Sequence, residues 1–189
     1  MSTLESVFFE NHPEDRQPVV GHDLSERRFR SVGLAPAGAR DYNPAHSPLL
    51  RYAYRDVDRQ LEELYDLRGG PEATVEYLNP VTGGPAVATF ACQMTRLYPG
   101  ARTPSRRKTG SSICVAFRGS GQSIVNGVRF DWSAGDVFVT PSWSAVDHQA
   151  SEEADLFVIS DSPVLKALHV YREATESEPQ EIREVFEAS

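Results

Sequence analysis

The strongest constraint on the fold is a series of short strand-like runs that starts near Ala73, each closed by turn-forming residues. Apolar and polar residues alternate in AVATFACQMTRL, SSICVAFRG, QSIV, VRFDW, DVFVT and ADLFVIS, with NPVTGG, YPGA, GSG, NG and SAGD between them. The Asn126-Gly127 pair is a strong hairpin signal, because both residues tolerate positive φ. Many short strands punctuated this regularly predict an antiparallel barrel or sandwich.

The segment before the strands is expected to contain an arm and one helix. Residues 1–48 lack sustained periodicity and carry scattered proline, glycine and charge, which predicts an extended arm that needs another surface to lie on. The stretch YRDVDRQLEELYDL then places Val57, Leu61 and Leu64 at helical spacing and is followed by Gly-Gly-Pro. This pattern predicts an amphipathic helix.

A second helix is predicted after the last strand, in SDSPVLKALHVYRE. Asp161 or Ser162 is its expected N-cap, a proline occupies the first turn, and Val164, Leu165 and Leu168 form an apolar face. We expect this face to pack across one sheet. The Glu-rich end is expected to be a solvated tail or a frayed helix, so the predicted organisation is an arm (1–50), a barrel with flanking helices (51–175) and an acidic tail (176–189).

Composition limits the partners and the location of the chain. Its 189 residues, of which 40% are hydrophobic, suit one domain with a core, and the net charge of −8 argues against nucleic acid or an anionic membrane as a partner. Cys92 and Cys114 lie far apart in strand-like runs, so we expect buried free thiols rather than a disulfide or a metal pair. No export signal or long apolar run is visible, which predicts a cytoplasmic protein.

The spacing of several glycines and prolines resembles the paired signatures of the cupin family. Gly100 and Gly119 fall at the ends of the first signature, and Gly135 and Pro141 fall in the second, where Trp143 replaces the usual second glycine. The resemblance implies a barrel in which three histidines and one glutamate would converge on iron, manganese or another divalent ion. Such a ligand set holds the metal and leaves coordination positions open.

The residues at the four ligand positions are not metal ligands. Arg106 and Lys108 stand at the positions of the His-x-His pair, Ser112 at that of the glutamate and Val146 at that of the last histidine. Neither a cationic side chain nor valine offers a lone pair to a metal ion. The sequence therefore predicts a degenerate site with no metal cofactor.

A wider resemblance covers almost the whole chain. The stretches FFENHPEDRQPV, SPLLRYAY, VEYLNPVTGGPA, RFDWSAGDVFVTPSW and ADLFVISDSPVLKALHVYRE resemble the C-terminal half of gentisate 1,2-dioxygenases and of their relatives acting on salicylate and 1-hydroxy-2-naphthoate. This resemblance implies a mainly β fold: a single cupin (double-stranded β-helix, jelly-roll) barrel with an N-terminal arm, one helix before it and one after. In that family the catalytic iron and the substrate-binding residues belong chiefly to the N-terminal cupin, which has no counterpart here.

Six residues are candidates for a ligand pocket. If the cupin register holds, Arg106 and Lys108 share one face, where a carboxylate or phosphate could neutralise them. The alternative is that this loop turns outward and the charges are solvated, which is the usual state of arginine and lysine. Ser112, Val146 and His148 complete the candidate lining, together with Trp143.

His148 and Trp143 each have a structural alternative. His148 lies two residues beyond Val146, so it points to the same sheet face. It is a weak metal candidate, and an isolated histidine is more often a hydrogen-bonded structural residue. Trp143, with Phe138 and Phe157, could line an aromatic-substrate pocket, although strand aromatics usually belong to the core.

Three functions follow from these observations. The first is a non-catalytic structural or companion subunit that pairs with itself or with a separately encoded catalytic cupin of an aromatic ring-cleaving dioxygenase system. The second is an active mononuclear iron(II) dioxygenase of hydroxylated aromatic acids, with unconventional ligands such as His148. The third is a small-molecule cupin in which Arg106 and Lys108 hold an anion, such as a small aromatic acid.

Overall fold

The computed structural model describes residues 23–31, 33–39, 46–100 and 102–187. These residues form mainly β-structure with short helices. The helices are α1 (Leu24–Phe29), α2 (Tyr54–Arg68) and α3 (Ser162–Ala167). The strands are β1 (Glu72–Glu76), β2 (Ala91–Leu97), β3 (Arg106–Lys108), β4 (Ser112–Arg118), β5 (Ser120–Val125), β6 (Val128–Ser133), β7 (Val137–Thr140), β8 (Val146–Ala150), β9 (Ala154–Ser160), β10 (Glu173–Thr175) and β11 (Glu184–Val185).

Two sheets pack face to face around one core. The five-stranded sheet has the order β1-β2-β9-β4-β7 and the six-stranded sheet has the order β10-β3-β8-β5-β6-β11. Buried residues of both sheets meet between them: Leu97, Ala116 and Leu156 from the first, and Trp132 and Ala150 from the second. The mainly β fold, a single jelly-roll barrel with a helix on either side of its main strands, is therefore confirmed.

The predicted Asn-Gly hairpin connects β5 and β6. Asn126 and Gly127 have φ values of 51° and 85°, and Val125 pairs with Val128 on either side of them. Both turn residues thus occupy the left-handed region that an asparagine and a glycine tolerate best. This local prediction is confirmed.

Helix α2 covers the outer face of the five-stranded sheet at β1 and β2. Its buried residues Val57 and Leu61 pack against Ala73 and Met94 of these strands. The helix ends before Gly69, whose φ of 61° reverses the chain. The predicted amphipathic helix is confirmed, and it leaves the outer face of β4 and β7 uncovered.

Helix α3 begins as predicted but does not pack across a sheet. Asp161 is its N-cap and Pro163 lies in its first turn, yet none of its residues is buried. Val164 and Leu168 are 37% and 64% exposed. The helix ends at Ala167, and His169, with a φ of 59°, turns the chain away. Among the described residues, no helix combines the length and the hydropathy needed to cross a bilayer.

The described parts of the arm and of the C-terminal segment contain more secondary structure than the sequence suggested. The arm contains the short helix α1, and its last residues attach to the barrel through a hydrogen bond from the Ser47 amide to the Ala86 carbonyl. Residues 1–22, 32 and 40–45, which together make up more than half of the predicted arm, lie outside the described residues.

The C-terminal end is not a solvated tail over its described length. Strand β10 pairs with β3, and β11 pairs in parallel with β6. Between them, the Gln180 side chain donates to Asp147 and to the Ile124 carbonyl, and it accepts from the Gly127 amide. These bonds satisfy buried polar groups of the barrel, which a composition-based reading of acidic residues cannot foresee.

Both cysteines are free thiols, as predicted. Cys114 is buried, and burial raises the pKa of its thiol to about 12; Cys92 is half-buried, and its pKa is raised for the same reason. Neither thiol is set up as a nucleophile, because a raised pKa keeps the sulfur protonated at neutral pH.

Candidate functional site

A cavity of about 500 Å³ opens between the inner faces of the two sheets, near the end of α2. The structure places five of the six candidate residues in its lining: Arg106, Lys108, Ser112, Val146 and His148. The buried part of the lining includes Cys114 and Leu156, while charged residues lie at the more exposed edge.

The strand periodicity explains why these residues meet. Alternate residues of a strand face the same side, so Arg106 and Lys108 of β3 point inward together, as do Val146 and His148 of β8. Arg106 pairs directly with Val146 across the β3–β8 ladder. Ser112 reaches the same cavity from β4, in the opposite sheet.

The two cations at the His-x-His positions are paired with carboxylates of this chain. The Arg106 Nη1 lies 2.5 Å from the Glu72 Oε1, and their side chains are 35% and 16% exposed. The Lys108 Nζ lies 3.7 Å from a carboxylate oxygen of Glu173 at the more exposed edge. Arg106 is thus neither buried unpaired nor fully solvated, since Glu72 supplies the anion from across the barrel.

The charge of the lining is nevertheless unequal. Arg68 adds a third cation to Arg106 and Lys108, against the two carboxylates of Glu72 and Glu173. The lining therefore carries an excess of one positive charge, because His148 is neutral at neutral pH.

His148 is held by a hydrogen-bond chain behind the cavity wall. Its Nδ1 lies 2.7 Å from the Ser123 Oγ, which also accepts a hydrogen bond of 2.9 Å from the Trp132 Nε1. Burial lowers the pKa of His148 to about 4; nearby Asp147 raises it in part, and the positive charges of Arg106 and Lys108 lower it further. At neutral pH the ring is therefore uncharged.

Trp143 lies outside the cavity lining. It is 42% exposed and occupies a turn with a φ of 62°, where its amide donates to the Lys108 carbonyl. The other two aromatic candidates belong to packing clusters: Phe138 packs against the barrel core and Phe157 against the cluster under α2. This agrees with the expectation that strand aromatics serve mainly as core.

Three contributors to the site were missed at the level of sequence. Glu72 and Glu173 belong to strands far from β3 in the chain, and Ser123 reaches His148 only because β5 and β8 are neighbours. No local motif signals these contacts. They depend on strand pairing, which the sequence pattern does not specify.

The residues at the cupin ligand positions do not fit a metal ion. Arginine and lysine are protonated at neutral pH and valine has no donor atom, which leaves Ser112 and His148 as possible donors among these side chains. In the part of the chain that the structure describes, no group of three or more His, Cys, Asp or Glu residues could hold a metal.

Comparison with known proteins identifies relatives over nearly the whole chain. It is 34% identical to a 5-aminosalicylate 1,2-dioxygenase of Comamonas sp over 185 residues, which are 95% of this chain and 48% of that protein. It is 35% identical to a gentisate 1,2-dioxygenase of Streptomyces sp over 182 residues, 91% of this chain and 50% of that protein.

A solved structure is also similar to most of this chain. The salicylate 1,2-dioxygenase of Pseudoaminobacter salicylatoxidans, solved as an adduct with gentisate, superimposes with a TM-score of 0.77 at 34% identity, over 82% of this chain and 44% of that one. No model of a known protein family matches the chain. This chain spans about half the length of these relatives. It belongs to the gentisate 1,2-dioxygenase-like cupin proteins and corresponds to a single cupin-sized half of them.

Proposed function

We propose that this chain is a non-catalytic companion cupin of an aromatic ring-cleaving dioxygenase system, paired with itself or with a separately encoded catalytic cupin. The observation that carries the proposal is the Arg106–Glu72 ion pair, which occupies a position where the cupin signature would have a metal-binding histidine. A guanidinium at this position repels a divalent cation. The chain is therefore suited to a structural role and needs no metal cofactor of its own.

The relatives indicate what a partner would supply. The relatives named as dioxygenases of 5-aminosalicylate and gentisate are about twice as long as the matched segment. In the proposed assembly, the partner would correspond to the half of these relatives that this chain does not match.

An exposed apolar strip offers a surface for that partner. Four apolar residues are exposed on the outer face of the five-stranded sheet: Ile113 and Phe117 of β4, and Val137 and Val139 of β7. Of these, Phe117 also contacts Tyr54 at the start of α2. Alternating exposed apolar residues on two adjacent strands form a contiguous patch, which is typical of a protein contact. We call these four residues the apolar strip.

Metal analysis combined with activity reconstitution tests the companion function. The purified chain is expected to contain no stoichiometric iron and to turn over neither gentisate nor 5-aminosalicylate. The Streptomyces gentisate dioxygenase, truncated to the half that this chain does not match, is expected to bind the chain and to gain activity with it. Stoichiometric iron with turnover by the chain alone would instead establish the enzymatic alternative, an iron(II) ring-cleaving dioxygenase.

Substitutions in the apolar strip test whether it is the surface that binds the partner. The double variant Val137→Lys/Val139→Lys should prevent complex formation, because it places two charges where apolar side chains would be buried. Ile182→Lys, at an exposed apolar residue outside the strip, is the matched control and should leave the complex intact. Complex formation that survives the double variant would show that the partner binds elsewhere.

A second candidate function is the binding of a small anion in the cavity. The observation that favours it is the excess of cations over carboxylates in the lining of this cavity, which has a volume of about 500 Å³. Calorimetric titration with organic and inorganic anions tests it. The absence of binding by every anion at millimolar concentration would exclude this function.

A further inference from the structure

The hydrogen-bond chain behind the cavity determines which nitrogen of His148 carries the proton. The Trp132 Nε1 can only donate, so the Ser123 Oγ accepts from it. Ser123 is fully buried, and its hydroxyl proton has no acceptor among the described residues other than the His148 Nδ1, at 2.7 Å. A buried donor is rarely left unpaired. The hydroxyl therefore donates to Nδ1.

This direction fixes the tautomer of the ring. His148 is neutral at neutral pH, and an Nδ1 that accepts a hydrogen bond requires the proton on Nε2. The Nε2 has no hydrogen-bond partner among the described residues, and His148 lines the cavity. The ring thus presents an unused N–H donor to whatever occupies the cavity.

A metal ion would need the opposite tautomer. Coordination through Nε2 requires the proton on Nδ1, which would then donate to Ser123 and leave the serine hydroxyl proton without an acceptor. The hydrogen-bond chain therefore disfavours His148 as a metal ligand, although it is the one histidine in the lining.

The remaining lining specifies the kind of molecule that this donor would meet. The lining carries one positive charge in excess, because its three cations, Arg68 included, face two carboxylates. Cys114, Leu156 and Val158 provide apolar surface in the same cavity, beside hydroxyl and amide side chains. A dianion such as phosphate finds a single excess positive charge and walls that are in part apolar. A monoanion with an apolar body matches both the charge and the walls.

We infer that His148 is a fixed Nε2–H donor and that the cavity binds a small organic carboxylate with an apolar body through this donor and the nearby cations. The inference rests on the second candidate function, anion binding, and names its ligand class and its positioned donor. Val146 stands where the cupin signature has its last histidine, and it offers no donor atom to a metal ion. The carboxylate oxygens of the ligand would therefore accept hydrogen bonds from N–H groups instead of binding a metal.

NMR tests the tautomer without any ligand. Long-range ¹H–¹⁵N correlation spectra of the isotope-labelled chain at about pH 7 should show Nε2 protonated and Nδ1 bare. Ser123→Ala removes the only donor to Nδ1 and should yield a mixture of both tautomers. A wild-type ring protonated on Nδ1 would overturn the inference, even if the cavity binds anions.

Calorimetry with benzoate tests the ligand class. Benzoate is expected to bind about tenfold more tightly than benzyl alcohol, which has the same ring without the charge. His148→Phe should weaken benzoate binding about tenfold because the ring volume remains but the donor is lost. His148→Gln, which keeps an N–H near the Nε2 position, should retain most of the affinity and also serves if the phenylalanine variant fails to fold.

The matched control is the same substitution at an exposed histidine. His46→Phe lies outside the cavity lining and should leave the affinity for benzoate unchanged. Unchanged affinity in His148→Phe, or tighter binding of inorganic phosphate than of benzoate, would overturn the inference while leaving anion binding itself in place. If no anion binds, the candidate function and the proposed ligand class both fail, and the NMR result alone decides the tautomer.

Discussion

Two arginine–carboxylate clusters lie on opposite faces of the five-stranded sheet, and they differ in how many hydrogen bonds each arginine makes within the protein. On the outer face, the Arg96 Nε and Nη2 donate to the two oxygens of Asp155 at 2.8 and 3.0 Å, and Nη2 also donates to Asp58 of α2 at 2.6 Å. On the inner face, Arg106 has Glu72 as its one carboxylate partner among the described residues and is 35% exposed.

The outer cluster connects α2 to the sheet. The side chains of Arg96 and Asp155 are 1% and 0% exposed, and the Tyr54 hydroxyl also bonds to Asp155. These bonds raise the pKa of Arg96 above its usual value, while burial and the neighbouring Asp155 raise the pKa of Tyr54 to about 12. Arg96 therefore stays protonated and Tyr54 stays neutral across the physiological range, which suits a structural role.

The two clusters are suited to different roles, the outer one to stability and the inner one to ligand binding. A buried, multiply bonded ion pair is costly to break, whereas a half-exposed single contact contributes little stability and keeps a charge that a ligand can use. We therefore expect substitutions in the outer cluster to change stability and substitutions in the inner cluster to change ligand affinity.

The largest expected effect is at Asp155. Asp155→Asn leaves the Arg96 guanidinium buried with one carboxylate fewer, and we expect the free energy of unfolding to fall by about 3 kcal/mol. Urea denaturation followed by circular dichroism measures this change. Asp131→Asn, at an exposed partner of Arg129 outside the cluster, is the matched control and should cost less than about 1 kcal/mol. Equal losses in the two variants would show that the outer cluster is no stronger than a surface pair.

Acidification is expected to have a smaller effect on the free energy of unfolding, and this effect comes from His148 in the cavity lining. The folded-state pKa of His148 is about 4, below the ordinary 6.5, so the unfolded chain binds the proton more readily. The stability from the neutral ring is fully present above pH 6.5 and is lost as the pH falls from there toward 4, by about 1–2 kcal/mol at about pH 5.

The control for this pH effect is a pair of histidine variants. His148→Gln should flatten the dependence of unfolding free energy on pH in this window, while His46→Gln should leave it unchanged. A His148→Gln chain that keeps the full slope between pH 7 and pH 5 would assign the effect to other groups.

The smallest expected effect on stability is at Arg106. Arg106→Met should change the free energy of unfolding by less than about 1 kcal/mol, because the pair with Glu72 is single and partly exposed. The same variant should weaken benzoate binding in calorimetry. Arg107→Met, next along β3 and outside the cavity lining, is the matched control: a similar stability change with no loss of affinity is expected. Equal loss of affinity in both variants would contradict a distinct role for the inner arginine.

Local patterns predicted the parts of the structure that depend on local chemistry. The hairpin at Asn126 and Gly127 follows from backbone preference, and helix α2 follows from the spacing of Val57 and Leu61. Period-two alternation is also the reason that Val146 and His148 share a face. These features need no knowledge of distant neighbours.

Contacts between distant strands could not be predicted in the same way. Glu72 pairs with Arg106, and Ser123 sets the tautomer of His148, because the barrel closes and not because of any spacing in the chain. The packing of α3 was also predicted wrongly: its apolar face was expected to lie across a sheet, yet none of its residues is buried. Tertiary pairing decides such features.

The segment of residues 173–185 has a consequence for how the sheet avoids misfolding. Its two short strands, β10 and β11, form both outer edges of the six-stranded sheet. While this segment is undocked, the edges of β3 and β6 lack these neighbours, and open sheet edges are the places where β-proteins pair wrongly. Docking of this one segment therefore protects both edges of the sheet from aggregation.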